Sequence, residues 1–253
     1  MTAPLAGRTV VITGAGQGLG RAYAHRVAAD GATVVIADLN TEAGEHVAAE
    51  VTEKGGNARH HHLDVGDPAS CTALAEYVDA EFDAVHGLVN NAAIFSTITM
   101  RPFWEIPVDE WDRLMAVNLR GPFLLTAALL PALRRAGDAS VVNVASDAVW
   151  LGRSGYLHYT ASKGGVTAMT YSMSHELGDD GIRVNAISPG PTYTEVPRGT
   201  VSAGQKAAMH AAQALHRDAE PEDIVGVVAF LLSRDSRWVT GQVLSVSGGL
   251  IHR

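Results

Sequence analysis

Tyr159 and Lys163 stand four residues apart, thirteen residues beyond Ser146. On a helix that spacing puts a phenol and an ammonium on one face, where the cation can pull the phenol's pKa towards neutrality. An unperturbed phenol titrates at about pH 10, so a tyrosine that exchanges protons at physiological pH needs such help. Ser146 closes the run Val141-Val142-Asn143-Val144-Ala145-Ser146. Its hydroxyl is expected at the edge of a sheet, although a serine there also caps turns. Ser154 competes for the same role but lies too near Tyr159 to come from the strand. Earlier in the chain, Thr13-Gly14-Ala15-Gly16-Gln17-Gly18-Leu19-Gly20 joins a β-branched run to a helical one. A glycine-rich turn of this kind lets backbone N–H groups approach a pyrophosphate, and the helix N-terminus adds favourable charge. Together these residues point to hydride transfer.

The elements that must position them alternate. Thr9 to Thr13, Thr33 to Ala37, Ala58 to Leu63, Gly87 to Asn90, Ser140 to Ala145, Arg183 to Ser188 and Gln242 to Val246 read as short strands. Gly20 to Ala29, Thr41 to Lys54, Pro68 to Phe82, Val108 to Arg135, Gly155 to Leu177 and Glu222 to Leu232 read as helices. Pro122 and Pro131 imply a break or kink in the fourth of these. Such alternation builds an α/β fold: a Rossmann-type, doubly wound parallel sheet of about seven strands with helices on both faces. No linker, repeat or low-complexity tract divides the 253 residues, so one domain spanning 1–253 is expected, with a substrate-loop insertion at about 193–217.

Glycines fall at 14, 16, 18 and 20, and none of these frames gives Gly-x-Gly-x-x-Gly. The turn instead reads Thr-Gly-x-x-x-Gly-x-Gly. With Asn90-Asn91-Ala92-Ala93, Ser146, Tyr159-x-x-x-Lys163 and Pro189-Gly190, it resembles the ordered signature of the classical short-chain dehydrogenases/reductases, from about Leu5 to Gly249. Ala93 stands where relatives more often have glycine.

That resemblance implies catalytic roles for Asn118, Ser146, Tyr159 and Lys163. Ser146 would hydrogen-bond the substrate oxygen and Tyr159 exchange the proton. Lys163 would tune Tyr159 and hold the nicotinamide ribose, and the main-chain carbonyl of Asn118 would hold a water beside the lysine. Asn118 can also be read as a polar residue satisfying its neighbours. The cofactor set is Gly14, Gln17, Gly18, Leu19, Gly20, Asp38, Leu39, Asp64, Val65, Asn91, Ala92, Ala93, Tyr159, Lys163, Pro189, Gly190, Thr192 and Thr194. Asp38, at the end of the second strand, suits ribose hydroxyls and would repel a 2′-phosphate, so NAD is expected over NADP. Gln17 and Leu39 add no positive charge where phosphate-preferring relatives often carry one. Asp38 also suits a helix cap with Asn40 and Thr41, and Asp64 suits a turn before Gly66.

A net charge of −8 argues against a nucleic-acid partner. The single cysteine, Cys71, cannot form an intrachain disulfide and is expected buried and inert. His60-His61-His62 makes a poor chelate, because consecutive strand residues face opposite ways, and no metal is expected. No signal-like N-terminus and no stretch of membrane-spanning length is apparent, which makes a cytoplasmic protein the expectation.

For the substrate, Tyr193 to Arg217 reads as a mobile apolar lid bearing Val196, Val201, Met209 and Leu215. Phe95, Trp150, Tyr156 and Tyr193 are candidate aromatic walls, and Arg153 and Arg198 are candidate anion contacts. The stretches Val149–Leu151, Tyr156–Tyr159 and Gly248–Arg253 are similar to members that oxidise aryl-alkyl carbinols such as 1-phenylethanol. A small hydrophobic secondary alcohol or ketone is the expected substrate. The alternatives are a 3-oxoacyl thioester reductase and a cofactor-binding regulator without turnover. The resemblance also implies a homotetramer.

Overall fold

The computed structural model describes residues 3–197 and 203–252; Arg198 and Val201 lie outside them. Seven strands, β1 (Thr9–Thr13), β2 (Thr33–Asp38), β3 (Asn57–His62), β4 (Gly87–Asn90), β5 (Ser140–Val144), β6 (Arg183–Pro189) and β7 (Val243–Val246), form one sheet of order β3-β2-β1-β4-β5-β6-β7. Every pairing is parallel, with Thr9 opposite Thr33 on one side of β1 and Val10 opposite Gly87 on the other. The central strands are runs of buried Val and Ile, as strands covered on both faces must be.

The helices are α1 (Gly18–Ala29), α2 (Thr41–Glu53), α3 (Pro68–Glu81), α4 (Val108–Met115), α5 (Gly121–Ala136), α6 (Ala148–Leu151), α7 (Leu157–Glu176), α8 (Ala203–Ala212) and α9 (Pro221–Leu232). Local chemistry sets their ends. The side chain of Asn40 caps α2 and that of Asp67 caps α3, Pro68 and Pro221 open their helices, and Glu220 with Asp223 forms a capping box on α9. One core packs α1, α2 and α9 through Tyr23, Val27, Val47 and Val228. The other packs α3 and α5 through Leu74, Val78, Leu125 and Leu129.

The break expected between Val108 and Arg135 falls at a π-helical turn, Ala116–Arg120. Pro122 explains it: without an N–H it cannot donate to the Asn118 carbonyl four residues back, and the ladder re-registers there. Pro131 sits inside α5 without ending it. Contrary to the expectation of no such stretch, Val108–Ala136 is long and apolar enough to cross a membrane by length and composition. Leu125, Leu129 and Leu133 of that run are spent on the sheet.

Candidate active site

Strand order reverses between β1 and β4, and their carboxyl ends open the cleft. Gly14 adopts φ +61°, and a Cβ there would stand 2.8 Å from the Ala92 Cα. A Cβ on Gly20 would collide with the Gly14 carbonyl and stand 2.7 Å from Asn91 Nδ2. Asn91 donates from Nδ2 to the carbonyls of Thr13 (2.9 Å) and Gly14 (3.0 Å), and Thr13 Oγ1 accepts from the N–H groups of Asn91 and Ala92. The turn is thus locked to β4 by short side chains. Asn90 points inward instead, donating to Asn143 and Thr126.

A cleft of about 740 Å3 runs along this edge, lined by Gly14, Gln17, Gly18, Leu19, Gly20, Asp38, Leu39, Asp64, Val65, Asn91, Ala92, Ala93, Thr192 and Thr194 among others. Asp38 accepts from the N–H groups of Gly16 (2.7 Å) and Asn40 (2.9 Å). A carboxylate offers about four lone-pair sites, so roughly two remain for a ligand. Asn40, not Asp38, caps α2. Asp64 does close a turn, accepting from Gly66 N–H at 2.8 Å, while also lining the cleft. At the N-terminus of α1, the Gly18 N–H donates to Glu195 Oε1 at 2.8 Å. An anionic group therefore already sits on this helix end, as the backbone charge there favours.

An adjoining pocket of about 180 Å3 holds Ser146, Tyr159, Lys163, Pro189 and Gly190 and shares Leu19, Asn91, Ala93 and Thr192 with the cleft. Lys163 is buried, and burial pushes its pKa down to about 8. Its Nζ donates to the Val144 carbonyl at 2.7 Å and lies 5.9 Å from the centre of the Tyr159 ring. The Tyr159 ring packs on Phe95 at 4.7 Å and on Tyr156 at 5.7 Å. Ser146 Oγ lines the pocket and also accepts from Ala148 N–H at 3.2 Å, so it caps the turn as well. Asn118 is fully buried within the π-helical turn. Its Oδ1 accepts from Ile94 N–H at 2.7 Å, and its Nδ2 donates to the Ile94 carbonyl and to Ser162. The side chain satisfies its neighbours, which leaves the backbone as its route to any ligand.

A family model described as enoyl-(acyl carrier protein) reductase matches residues 14–251. The chain is 35% identical over 243 residues to a cyclopentanol dehydrogenase of Comamonas, covering 96% of each. It belongs to the short-chain dehydrogenase/reductase family. A solved 7α-hydroxysteroid dehydrogenase complexed with NADH and a 7-oxo bile acid superposes with a TM-score of 0.92 at 31% identity, over 98% of this chain and 96% of that one. A Beutenbergia cavernae protein assigned as an NAD(P)-dependent gluconate 5-dehydrogenase, solved with NADP at low occupancy, gives 0.90 at 34% identity, covering 99% of both. Nicotinamide dinucleotides of both kinds thus occur among its structural neighbours.

In this short-chain dehydrogenase/reductase, sequence reasoning missed Asp147. It is buried, its Oδ1 accepts from Ser188 Oγ and its Oδ2 from Ser245 Oγ, each at 2.6 Å, and its N–H donates to the Pro189 carbonyl. One carboxylate beside Ser146 therefore clamps the ends of β5, β6 and β7. An acidic residue within an apolar strand end was the available signal. His158, next to Tyr159, is likewise buried and reaches Glu110 at 3.1 Å, tying α7 to α4.

The structure corrects some expectations and bears out others. Trp150 lies 43% exposed and does not line the pocket, because the short turn of α6 directs Ala148 and Leu151 there instead. Tyr193 does not line it either; its ring lies under Lys206 Nζ at 4.2 Å. Phe95 and Tyr156 do form walls. The segment read as an apolar lid contains helix α8, whose Lys206 and His210 both reach Asp218, at 2.5 and 2.6 Å. Ser154 is exposed and takes no part in the pocket. The histidine triplet disperses: His60 packs against Gly44 of α2 and His61 stacks on Tyr77 at 4.6 Å. Cys71 is buried, and burial pushes its thiol up to about 11.

Proposed function

We propose that the protein is an NAD(H)-dependent secondary alcohol dehydrogenase or ketone reductase for compact, largely hydrophobic substrates. Residues 1–253 act as one dinucleotide-binding and catalytic domain, with 193–217 as its substrate loop. The carrying observation is continuity: Ser146, Tyr159 and Lys163 line one small pocket that opens through Leu19, Asn91 and Ala93 into the glycine-turn cleft.

The chain's own groups fit a dinucleotide. The α1 N-terminus already holds a carboxylate, the Gly14 and Gly20 positions leave room only for backbone, and Asp38 retains acceptor capacity for ribose hydroxyls. Asp38, with uncharged Gln17 and Leu39, favours NAD over its phosphorylated form. Asp64 and Val65 serve the adenine end, and Pro189, Gly190, Thr192 and Thr194 the carboxamide end. When bound, the nicotinamide supplies the carbon that accepts or delivers hydride.

Tyr159 then exchanges the proton at the substrate oxygen, and Ser146 Oγ fixes that oxygen by a hydrogen bond. Lys163 spends one N–H on Val144 and keeps two for the phenol oxygen and the ribose hydroxyls. Its value of about 8 leaves it mostly protonated at neutral pH, so it supplies the cation that Tyr159 needs. Asn118 contributes through its backbone beside the lysine. The nicotinamide end would share this pocket at Pro189, Gly190 and Thr192, and the apolar wall of Phe95, Leu151, Tyr156 and Met209 beside it favours compact hydrophobic alcohols. Exposed Val108, Phe123 and Tyr171 on α4, α5 and α7 support assembly into a homotetramer.

The test is a panel of secondary alcohols, ketones and 3-oxoacyl thioesters run with NAD and NADP side by side, following absorbance of the reduced cofactor. Compact hydrophobic alcohols with NAD should lead. Tyr159→Phe should lower kcat by about 10²- to 10⁴-fold while still binding NADH. Preference for thioesters with NADPH would replace this reading with the acyl reductase, and cofactor binding without turnover of any substrate would replace it with a regulator.

A further inference from the structure

Besides Lys163, which the proposed chemistry uses, the described pocket wall carries a second cation among its apolar residues. Arg153, in the loop between α6 and α7, lines the same cavity as Ser146 and Tyr159. Its guanidinium lies 5.5 Å from the centre of the Tyr156 ring, and Nη1 approaches the Met209 sulfur at 3.8 Å. A thioether is a weak, neutral acceptor and a ring face only a partial counter-charge. Most other described arginines have a carboxylate within 4.0 Å. No Asp or Glu among the described residues stands that close to Arg153, and positions 198–202 hold no acidic residue. Asp147, the carboxylate lining the same pocket, has both oxygens engaged by serines. Arg153 is therefore held in place, half-buried and facing the substrate's space, with one N–H on a weak acceptor and no carboxylate among the described residues to pair with it.

Resting on the proposed function, we propose that Arg153 recognises a carboxylate on the substrate, which is then a compact secondary alcohol, or its ketone, bearing an acid at the end away from the carbinol. The planar guanidinium matches a carboxylate through two parallel hydrogen bonds. Phe95, Tyr156 and Met209 cover the apolar body between the two ends. A chain of net charge −8 offers an anion no attractive long-range field, so recognition has to be local.

The test compares 4-hydroxycyclohexanecarboxylate, its methyl ester and cyclohexanol in parent, Arg153→Gln and Arg153→Lys enzymes. The parent should favour the acid over the ester by about tenfold or more in kcat/KM, the scale of a charge-assisted hydrogen bond. Arg153→Gln should erase that ratio through KM for the acid, and Arg153→Lys should keep part of it. A ratio cancels any general loss from misfolding, and NADH fluorescence titration checks that each variant still holds cofactor. Oxidation of ester or cyclohexanol as readily as the acid by the parent, or an unchanged ratio in Arg153→Gln, overturns the inference and leaves the proposed function standing. No turnover of any of the three, with NAD or NADP, across the wider panel as well, overturns both.

Discussion

The glycine-turn side of the cleft is made of backbone and short side chains, whereas the substrate side is made of long side chains drawn from separated segments. At the turn, Thr13, Asn91 and Asp38 hold specified N–H and carbonyl groups at 2.7–3.0 Å, and Gly14 and Gly20 leave no room for a side chain. Across the pocket, Phe95, Leu151, Arg153, Tyr156 and Met209 approach from the loop after β4, the region around α6 and the helix α8. The first surface is set by packing against the chain's own backbone and fits an invariant ligand part. The second can change by substitution without disturbing the sheet, which is where selectivity belongs.

That contrast breaks most sharply at Gly20. Gly20→Ala must push the Gly14 carbonyl and Asn91 aside, and overpacking of this kind costs about 1–3 kcal/mol. For a chain of this size the melting temperature should fall by roughly 2–4 °C per kcal/mol, and NADH binding should be lost in fluorescence titration. A stable variant that still binds NADH would show the turn to be less rigid than its contacts imply.

Lys163 joins the two sides, and its effect appears in pH dependence. Burial lowers its folded-state pKa from 10.5 to about 8, so between these values the unfolded chain holds more protons on this group than the folded one. Stability must then rise with pH through that window, the burial cost of the ammonium being fully present below about pH 8. Comparing melting temperatures of parent and Lys163→Met from pH 7 to 10.5 should show this rise in the parent alone. A parallel pair of curves would place the lysine in a more solvated setting.

The same division explains what the sequence could disclose. Strands such as Val10–Ile12 and the glycine turn are legible because their residue types answer to local rules of burial and close approach. The break near Asn118 was signalled by Pro122, but its form, a π-helical turn, depends on how α4 and α5 register on the sheet. Trp150 was misplaced because a four-residue helix has no periodicity to read. Helix α8 left a signal in its run of Ala, Gln, Lys and Met, all good helix formers, which its position after β6 obscured. Asp147 owes its partners to Ser188 and Ser245, far along the chain, and no local pattern announces that.

Met209 tests the changeable side. Its side chain touches Arg153 and faces the pocket from α8. Met209→Ala should alter KM several-fold across a substrate series, admitting bulkier rings, while NADH affinity holds. Equal loss for every substrate would mean that α8 supports the cofactor side too.

The smallest expected effect lies where the substrate loop reaches back to the turn. Glu195 Oε1 occupies the Gly18 N–H at 2.8 Å, and the side chain is about half exposed. A dinucleotide's pyrophosphate seeks the same helix end, so the carboxylate must yield that donor or share its neighbourhood with a second anion. Helix-end charge interactions at exposed sites are worth about 0.3–1 kcal/mol, or roughly two- to fivefold in affinity. Glu195→Gln should therefore tighten NADH binding by about that factor, with the gain shrinking as salt screens the charge. Weaker binding in the variant would instead make Glu195 a contributor to the closed loop, and the two sides of the cleft would then be coupled through this one side chain.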